Sequence, residues 1–321
     1  MTDPISIDLI VCTYNNAAFL DRTLAAMAKQ RVSPDVRWKV LVVDNNCTDE
    51  TAAVVERHRQ AGGFPLRTVR EPRQGLTPAR VCGVENTAGE WIAFVDDDCL
   101  LAEDWVEEAA RFAAGHPACG AFGGQILLEW ETDPPPPYAA CRRYAYAGKP
   151  HGDTAHRRTW LAGAGMVLRR AALAGCGWID KQFLEDRIGK RPVSGGDMEI
   201  GLRIATRSEV WYNPACKLRH VIPARRTTRE YLKRITFGLG ASRHHVRALT
   251  WKGSYPAWLA YSVVYAIGFG GFALLQALRE REVALALSPV AGWWAAVWDM
   301  LQMESRERQA LLGGAAAPRT P

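Results

Sequence analysis

None of the eight cysteines stands in a Cys-x-x-Cys pair, so the sequence offers neither a thiolate zinc site nor a dithiol redox motif. Cys12 and Cys47 fall at the ends of apolar segments and read as small apolar fillers. No internal repeat is visible over the 321 residues, which excludes solenoids and propellers. An N-terminal secretory pattern is also missing; with cysteines read as reduced, this predicts the cytosolic side. Two further absences are local. Between residues 217 and 252 one acid, Glu230, stands against ten Lys or Arg, so this segment alone outweighs the net charge of +6 of the whole chain. From Gly253 to Leu278 no charged residue occurs for 26 positions.

What is present begins with a repeated local pattern. Ile5 to Val11 and Val40 to Val43 are apolar runs that end in small polar residues, Thr13-Tyr14-Asn15-Asn16 and Asp44-Asn45-Asn46. Helical stretches follow both: Phe19, Leu20, Leu24 and Met27 recur on one face, and Thr48-Asp49-Glu50-Thr51 offers capping residues. Leu66 to Val69 reads as a third strand and Gly75 to Ala88 as a third helix. Ile92-Ala93-Phe94-Val95 is a fourth strand, closed by Asp96-Asp97-Asp98. Strand and helix alternating in this way predict an α/β fold with a doubly wound, mainly parallel sheet.

Ligand sites in such sheets form at the carboxyl ends of the strands, where the three acids fall. Adjacent carboxylates repel, and a hard divalent cation relieves the repulsion while keeping coordination places for phosphate oxygens. The acids therefore read as a metal–diphosphate site; a solvated acidic turn capping the next helix is the alternative. A nucleotide fits the same edge, with its base near Thr13 and Asp44 and its diphosphate near Arg80 and the metal.

Five motifs in order then carry a resemblance. Val11-Cys12-Thr13-Tyr14-Asn15, Val42 to Thr51, Gly75-Leu76-Thr77-Pro78-Ala79-Arg80, Phe94 to Asp98 and the pair Gly163 to Arg170 with Ser194 to Glu199 resemble family 2 glycosyltransferases of the GT-A fold. The match extends through Tyr212-Asn213-Pro214 and His220, over roughly residues 5–240. The resemblance implies inverting transfer of a sugar from a nucleotide diphosphate donor, a UDP-sugar favoured, with Mg²⁺ or Mn²⁺. It implies donor contacts by Thr13, Asn15, Asp44, Arg80, Asp96 and Asp97, metal ligation by Asp98 and His220, and Asp197 as catalytic base. Read by itself, Asp197 is an acid just ahead of Met198, Ile200, Leu202 and Ile204, a position acids favour at any helix start. Relatives usually carry Glu-Asp where this chain has Gly196-Asp197. Glu199 is expected to take over the lost acceptor contact. His220 is alternatively an ordinary polar residue ahead of the basic stretch, and Arg80 a surface cation.

Residues 1–225 are thus expected to form the catalytic domain, with a donor half to about 125 and an acceptor half after it. Within the latter, Pro134-Pro135-Pro136-Pro137 is a stiff spacer among Trp130, Tyr138, Tyr144, Tyr146, Trp160 and several arginines. This is an acceptor-binding loop or a packed insertion. Trp160 is the candidate sugar-stacking ring. Gly165 in Gly163-Ala164-Gly165 is a candidate close approach to the sugars, tight strand packing being the other reading.

The remainder is a basic helical segment (226–252), an apolar helical hairpin (253–301) and a tail (302–321) in which Ala315 to Pro321 is expected to be disordered. Trp258 to Leu278 is long enough to span about 30 Å of hydrocarbon, and Trp293, Trp294 and Trp298 suit a headgroup boundary. Pro289 and the 16 uncharged residues from Val283 make the second helix a poorer span, so the pair spans, lies in the interface, or packs on protein. A membrane association would place the catalytic domain at the cytoplasmic face of the inner membrane, facing anionic lipid and a lipid-linked or polysaccharide acceptor. His244 and His245 are expected on a solvated or lipid-facing basic surface. The rival functions are a non-catalytic sugar-nucleotide or polysaccharide-binding protein and a nucleotidyltransferase. Nucleic-acid binding is disfavoured by the uncharged, Trp-rich stretch that follows the basic segment.

Overall fold

The computed structural model describes residues 4–133, 148, 151–184, 195–280 and 283–316. The four-proline run, Tyr138, Tyr144, Tyr146 and the last five residues of the expected tail lie outside these.

The chain forms β1 (Ile5–Thr13), α1 (Ala17–Met27), β2 (Val36–Asp44), α2 (Thr51–Ala61), β3 (Leu66–Arg70), α3 (Leu76–Glu85), β4 (Trp91–Phe94), β5 (Cys99–Leu101) and α4 (Trp105–Gly115). It continues with β6 (Cys119–Trp130), β7 (His156–Arg158), β8 (Met166–Arg169), α5 (Arg170–Gly175), α6 (Gly196–Ala205) and β9 (Glu209–Ile222). One sheet runs in the order β3-β2-β1-β4-β8-β6-β9-β5, with β7 on β9. The first four strands are parallel, as is β6 with β9, while β8, β5 and β7 pair antiparallel. The parallel half is thus the part built from alternating strands and helices, and the mixed half follows it.

Alternation along each central strand feeds two cores. On β1, Ile7, Leu9 and Val11 face one layer and Ile10 the other. On β4, Trp91 and Ala93 share the first layer, Ile92 and Phe94 the second. A strand buried on both faces reads as an unbroken apolar run, as Ile92-Ala93-Phe94-Val95 does.

β9 is longer than its sequence suggests. The apolar segment Val210 to Tyr212 is only its start, and Pro214 does not end it; the strand passes a register shift against β6 and continues to Ile222. At that irregularity a Cβ on Gly124 would lie 1.8 Å from the Cys216 carbonyl oxygen, so only glycine lets the backbones approach. The extension has a functional result: it sets His220 opposite Cys99, beside Asp98.

Beyond the sheet come α7 (Arg229–Leu249), α8 (Tyr255–Glu280), α9 (Val283–Gln302) and α10 (Ser305–Leu311). Thr228 caps α7, its side chain accepting from the Tyr231 N–H. Helices α7 and α9 touch through glycine. A Cβ on Gly240 would meet the Pro289 carbonyl oxygen at 1.9 Å, and one on Gly292 the Phe237 carbonyl oxygen at 1.9 Å. Gly240→Ala is therefore expected to push the helices apart and destabilise the protein by about 1–3 kcal/mol. Gly271→Ala, where a Cβ meets nothing within 4 Å, serves as the control in the same denaturation measurement.

Two expectations about this region are corrected. His244 is not on a solvated or lipid-facing surface: it is buried among Trp258, Trp293 and Ser262. Burial, and then His245 beside it, push its pKa down to about 3, so it packs as a neutral ring. Burial likewise lowers His245. Ala315 is also buried, in a short turn that packs with Leu249 and Leu311, so order extends further into the expected tail.

Candidate active site

The acids end up at the carboxyl edge of β4, and each is held differently. Asp97 points back into the fold: its carboxylate accepts from Thr13 Oγ1 at 2.6 Å and from Asn16 Nδ2 at 2.8 Å, and Thr23 Oγ1 bonds its carbonyl. Burial, then the neighbouring Asp98 charge, raise it to about 7 against the pull of Thr13 and Asn16. Both oxygens thus hold hydrogen bonds that brace the β1 and α1 ends, while Asp97 still lines the cleft beside its two neighbours.

Asp96 and Asp98 line the cleft. Their oxygens and the Cys99 sulfur lie within 4.8 Å of one another. Burial opposes charge on Asp98, but His220 (Nε2 to Oδ1, 3.4 Å) and Arg226 (Nη1 to Oδ2, 2.8 Å) outweigh it and hold the carboxyl well below the usual range. Burial likewise opposes charge on His220, and Asp98 raises its pKa in return. Arg226 is the residue the sequence did not reveal. It belongs to a basic run whose surplus charge reads as facing anionic lipid or an acceptor, yet its side chain is turned inward to Asp98.

The two carboxylates from one turn fit a hard divalent ion, and the His220 imidazole from β9 stands beside them. The Cys99 thiol, raised well above its ordinary value by burial and the three acids, remains a neutral neighbour.

Around this centre the loops are tied together by polar side chains. Asp44 Oδ1 accepts from the Cys47 N–H, and Asn15 Oδ1 from the Thr48 N–H, both at 2.7 Å. Asn15 and Asn46 both adopt positive φ, 49° and 66°, conformations that asparagine tolerates. Cys47 is a fastener as well as a filler: its sulfur bridges Asn15 N–H and the Thr13 carbonyl. Asn45, given no role of its own in the sequence reading, clamps the start of α3 by accepting from Gly75 N–H and donating to the Glu71 and Arg73 carbonyls. That clamp positions Arg80. It is buried, not a surface cation, and its guanidinium lies 5.1 Å from the centre of the Phe94 ring.

Asp197 opens α6 and faces the same cleft. Its carboxylate accepts from Gly163 N–H at 2.8 Å and from Met198 N–H at 2.9 Å. A Cβ on Gly163 would lie 2.6 Å from Arg80 Nη2 and 3.4 Å from the Asp197 carboxylate. Gly163 is thus the small residue that lets the buried cation and the acid come together.

The acceptor expectations divide. Trp160 lines the cleft with Arg158 stacked on it at 4.8 Å. Gly165 is a packing residue: φ is +71°, and a Cβ would collide with Leu218. Glu199 is withdrawn as an acceptor ligand. It is fully buried, accepts from Phe183 and Leu184 N–H groups, and pairs with Arg203 at 2.8 Å. Burial pushes its carboxyl up although these partners oppose it. Phe183 and Leu184 lie over it, which its helical spacing does not reveal.

The cleft that collects Arg80, Asp96, Asp98, Trp160, Asp197, His220 and Arg226 has a volume of about 930 Å³. A mixed α/β sheet with an acidic turn at its topological switch, opposite an acid on a helix start, is the arrangement of a sugar-nucleotide transferase. Residues 8–173, more than half of the chain, match the model of Glycosyl transferase family 2, and the protein belongs to this family. The fold is GT-A. The mannosyltransferase PcManGT from Pyrobaculum calidifontis, solved with GDP-Man and Mn²⁺, superposes with a TM-score of 0.60 at 20% identity, over 91% of this chain and 87% of that one. TarS 1-349 of S. aureus in complex with UDP-GlcNAc gives 0.54 at 16% identity, over 97% and 92%. In sequence, the chain is 26% identical over 263 residues to succinoglycan biosynthesis protein ExoM of Rhizobium meliloti (strain 1021), 80% of each. It is 24% identical over 247 residues to a glucosyl-dolichyl phosphate glucuronosyltransferase of Haloferax volcanii, 74% of this chain and 76% of the relative. The protein is a glycosyltransferase.

Proposed function

We propose that this glycosyltransferase moves a sugar from a nucleotide diphosphate donor, a UDP-sugar favoured, to a lipid-linked or polysaccharide acceptor by a single inverting displacement. The observation that carries this reading is one cleft shared by the Asp96/Asp98 turn and Asp197. Asp44 and the backbone around Thr13 and Asn15 hold the base, and Asp96 the ribose. Asp98 and His220 would hold Mg²⁺ or Mn²⁺, which when bound supplies Lewis-acid stabilisation of charge on the departing diphosphate. Arg80 adds a buried positive charge on that side. Asp197 accepts the proton of the acceptor hydroxyl as its oxygen bonds to the anomeric carbon and the carbon–oxygen bond to the diphosphate breaks. Base and leaving group on opposite sides of the sugar invert its configuration.

Placement at a membrane is supported by the surface. Two helical stretches, Tyr255–Leu275 and Val283–Gln302, are long and apolar enough to cross a bilayer. Val264, Ile267, Phe272, Leu275, Leu278 and Trp298 are exposed on them, an apolar surface larger than isolated exposed residues account for. With the basic stretch adjoining, the reading places the domain at the cytoplasmic face of the inner membrane.

The test is a nucleotide-release screen on detergent-solubilised protein with UDP-, GDP- and dTDP-sugars, Mn²⁺ or Mg²⁺, and membrane lipid extract as acceptor. Release of one nucleoside diphosphate supports the reading; release of inorganic diphosphate would make the protein a nucleotidyltransferase. In the same assay Asp98→Asn is expected to weaken Mn²⁺-dependent UDP binding by about 10- to 100-fold. Mn²⁺-independent UDP binding of native strength in that variant would remove the metal role from Asp98.

A further inference from the structure

The cleft does not end at Asp197. It continues along α7, past Leu239 and Val246, to Arg243, Arg247 and, on α8, Tyr265. None of these belongs to the donor site. Arg243 and Arg247 are four residues apart and share one face of α7. Tyr261, Tyr265 and Phe269 repeat the same spacing on α8, with ring centroids 5.9 and 5.8 Å apart. The two ladders interlock in antiparallel order. Arg247 lies 4.5 Å from the Tyr265 ring centre and also donates to the Tyr261 hydroxyl, while Arg243 lies 5.1 Å from the Phe269 ring centre.

Stacking of this kind engages the face of a guanidinium and leaves its in-plane donors for an anion. Among the described residues neither arginine forms an ion pair with an acid. Two positive charges at the far end of a transferase cleft, without a carboxylate between them, suit a phosphate or diphosphate, whose oxygens match the guanidinium fork. The helix they stack on also carries exposed apolar residues, Val264 and Ile267 at 69% and 67%. Sugar chemistry and an anion-binding pair thus share one cleft, and a hydrocarbon-compatible surface lies on the helix that borders it.

We propose that Arg243 and Arg247 form the subsite for the phosphate or diphosphate of a lipid-linked acceptor, whose sugar end points to Asp197 and whose hydrocarbon tail lies on α8. This rests on the glycosyltransferase reading of the cleft and adds to it the acceptor class. The aromatic ladder fixes the arginines in place, so little side-chain freedom is lost when the anion binds.

The test uses the full chain in non-ionic detergent, saturated with UDP and Mn²⁺ so that a second diphosphate does not compete at the donor site. Farnesyl diphosphate is titrated by calorimetry against the native protein, Arg243→Gln, Arg247→Gln, the double Gln variant and the double Lys variant. Each Gln substitution is expected to weaken binding by about tenfold or more, the value of a charged hydrogen bond. The Lys variant retains part of it, and farnesol binding does not change. Equal binding of farnesyl diphosphate to the native and double Gln proteins would overturn the proposal. Inorganic diphosphate binding as tightly as farnesyl diphosphate would overturn the lipid-linked part. An equal loss of phosphatidylglycerol vesicle binding in the Gln variants would reassign the pair to bulk headgroups. UDP–Mn²⁺ binding, measured first on the same samples, reports on the donor site separately. If it is absent, the donor reading fails, and titration without UDP still decides the role of the arginines.

Discussion

Asp197→Asn is expected to lower the rate of sugar transfer by about 10²–10⁴-fold, the usual contribution of a positioned general base, while leaving UDP binding intact. That loss corresponds to about 3–5 kcal/mol of transition-state stabilisation. The carboxylate is held by two N–H donors, Gly163 and Met198, one on each oxygen. An asparagine can satisfy only one of them with its carbonyl oxygen and presents its amide to the other. A small loss of stability should therefore accompany the kinetic loss, and unfolding of the variant must be measured beside its rate. Transfer at the native rate would take the base role away from Asp197.

The second large effect is on stability and belongs to a residue of the same helix. Glu199→Gln should destabilise the protein by about 3–5 kcal/mol, because it leaves the buried Arg203 charge without its carboxylate. Arg203 is otherwise fully engaged, donating to the Cys176 and Lys181 carbonyls, so it cannot swing to solvent without breaking those bonds. Replacing both partners, as in Glu199→Leu with Arg203→Met, should restore most of the loss, since a buried pair exchanged for packed apolar groups is often neutral. Denaturant unfolding of the single and double variants decides this. A single variant of native stability with a raised acceptor KM would return Glu199 to the acceptor site.

Two residues apart on α6, Asp197 and Glu199 show how far local pattern carries. Both are acids at a helix start, and both fit an acceptor role by position. One lies open to the cleft beside Gly163; the other is covered by Phe183 and Leu184. Helical periodicity states which residues share a face. It does not state which distant segment covers that face.

The basic segment divides in the same way. Its surplus charge is plain in the sequence, and so is the apolar hairpin behind it. Yet Arg226 turns inward to Asp98 across 128 positions of chain, Arg243 and Arg247 stack on the rings of α8, and His244 disappears between two tryptophans. Charge composition treats these residues alike; packing sorts them into an ion pair, a cleft lining and a neutral core ring.

The sequence by itself determined three strand–helix units and the strand that follows them, the acidic turn at the end of β4, the acid that opens α6 and the long uncharged helices. Each depends on neighbours within a few residues, where apolar spacing, turn residues and caps act directly. Only the tertiary structure decided that Asp97 braces Thr13 and Asn16, that β9 runs past Pro214 to bring His220 to Asp98, and that the cleft reaches α7 and α8. Those outcomes depend on desolvation and on pairing between segments far apart in the chain, which local spacing does not encode.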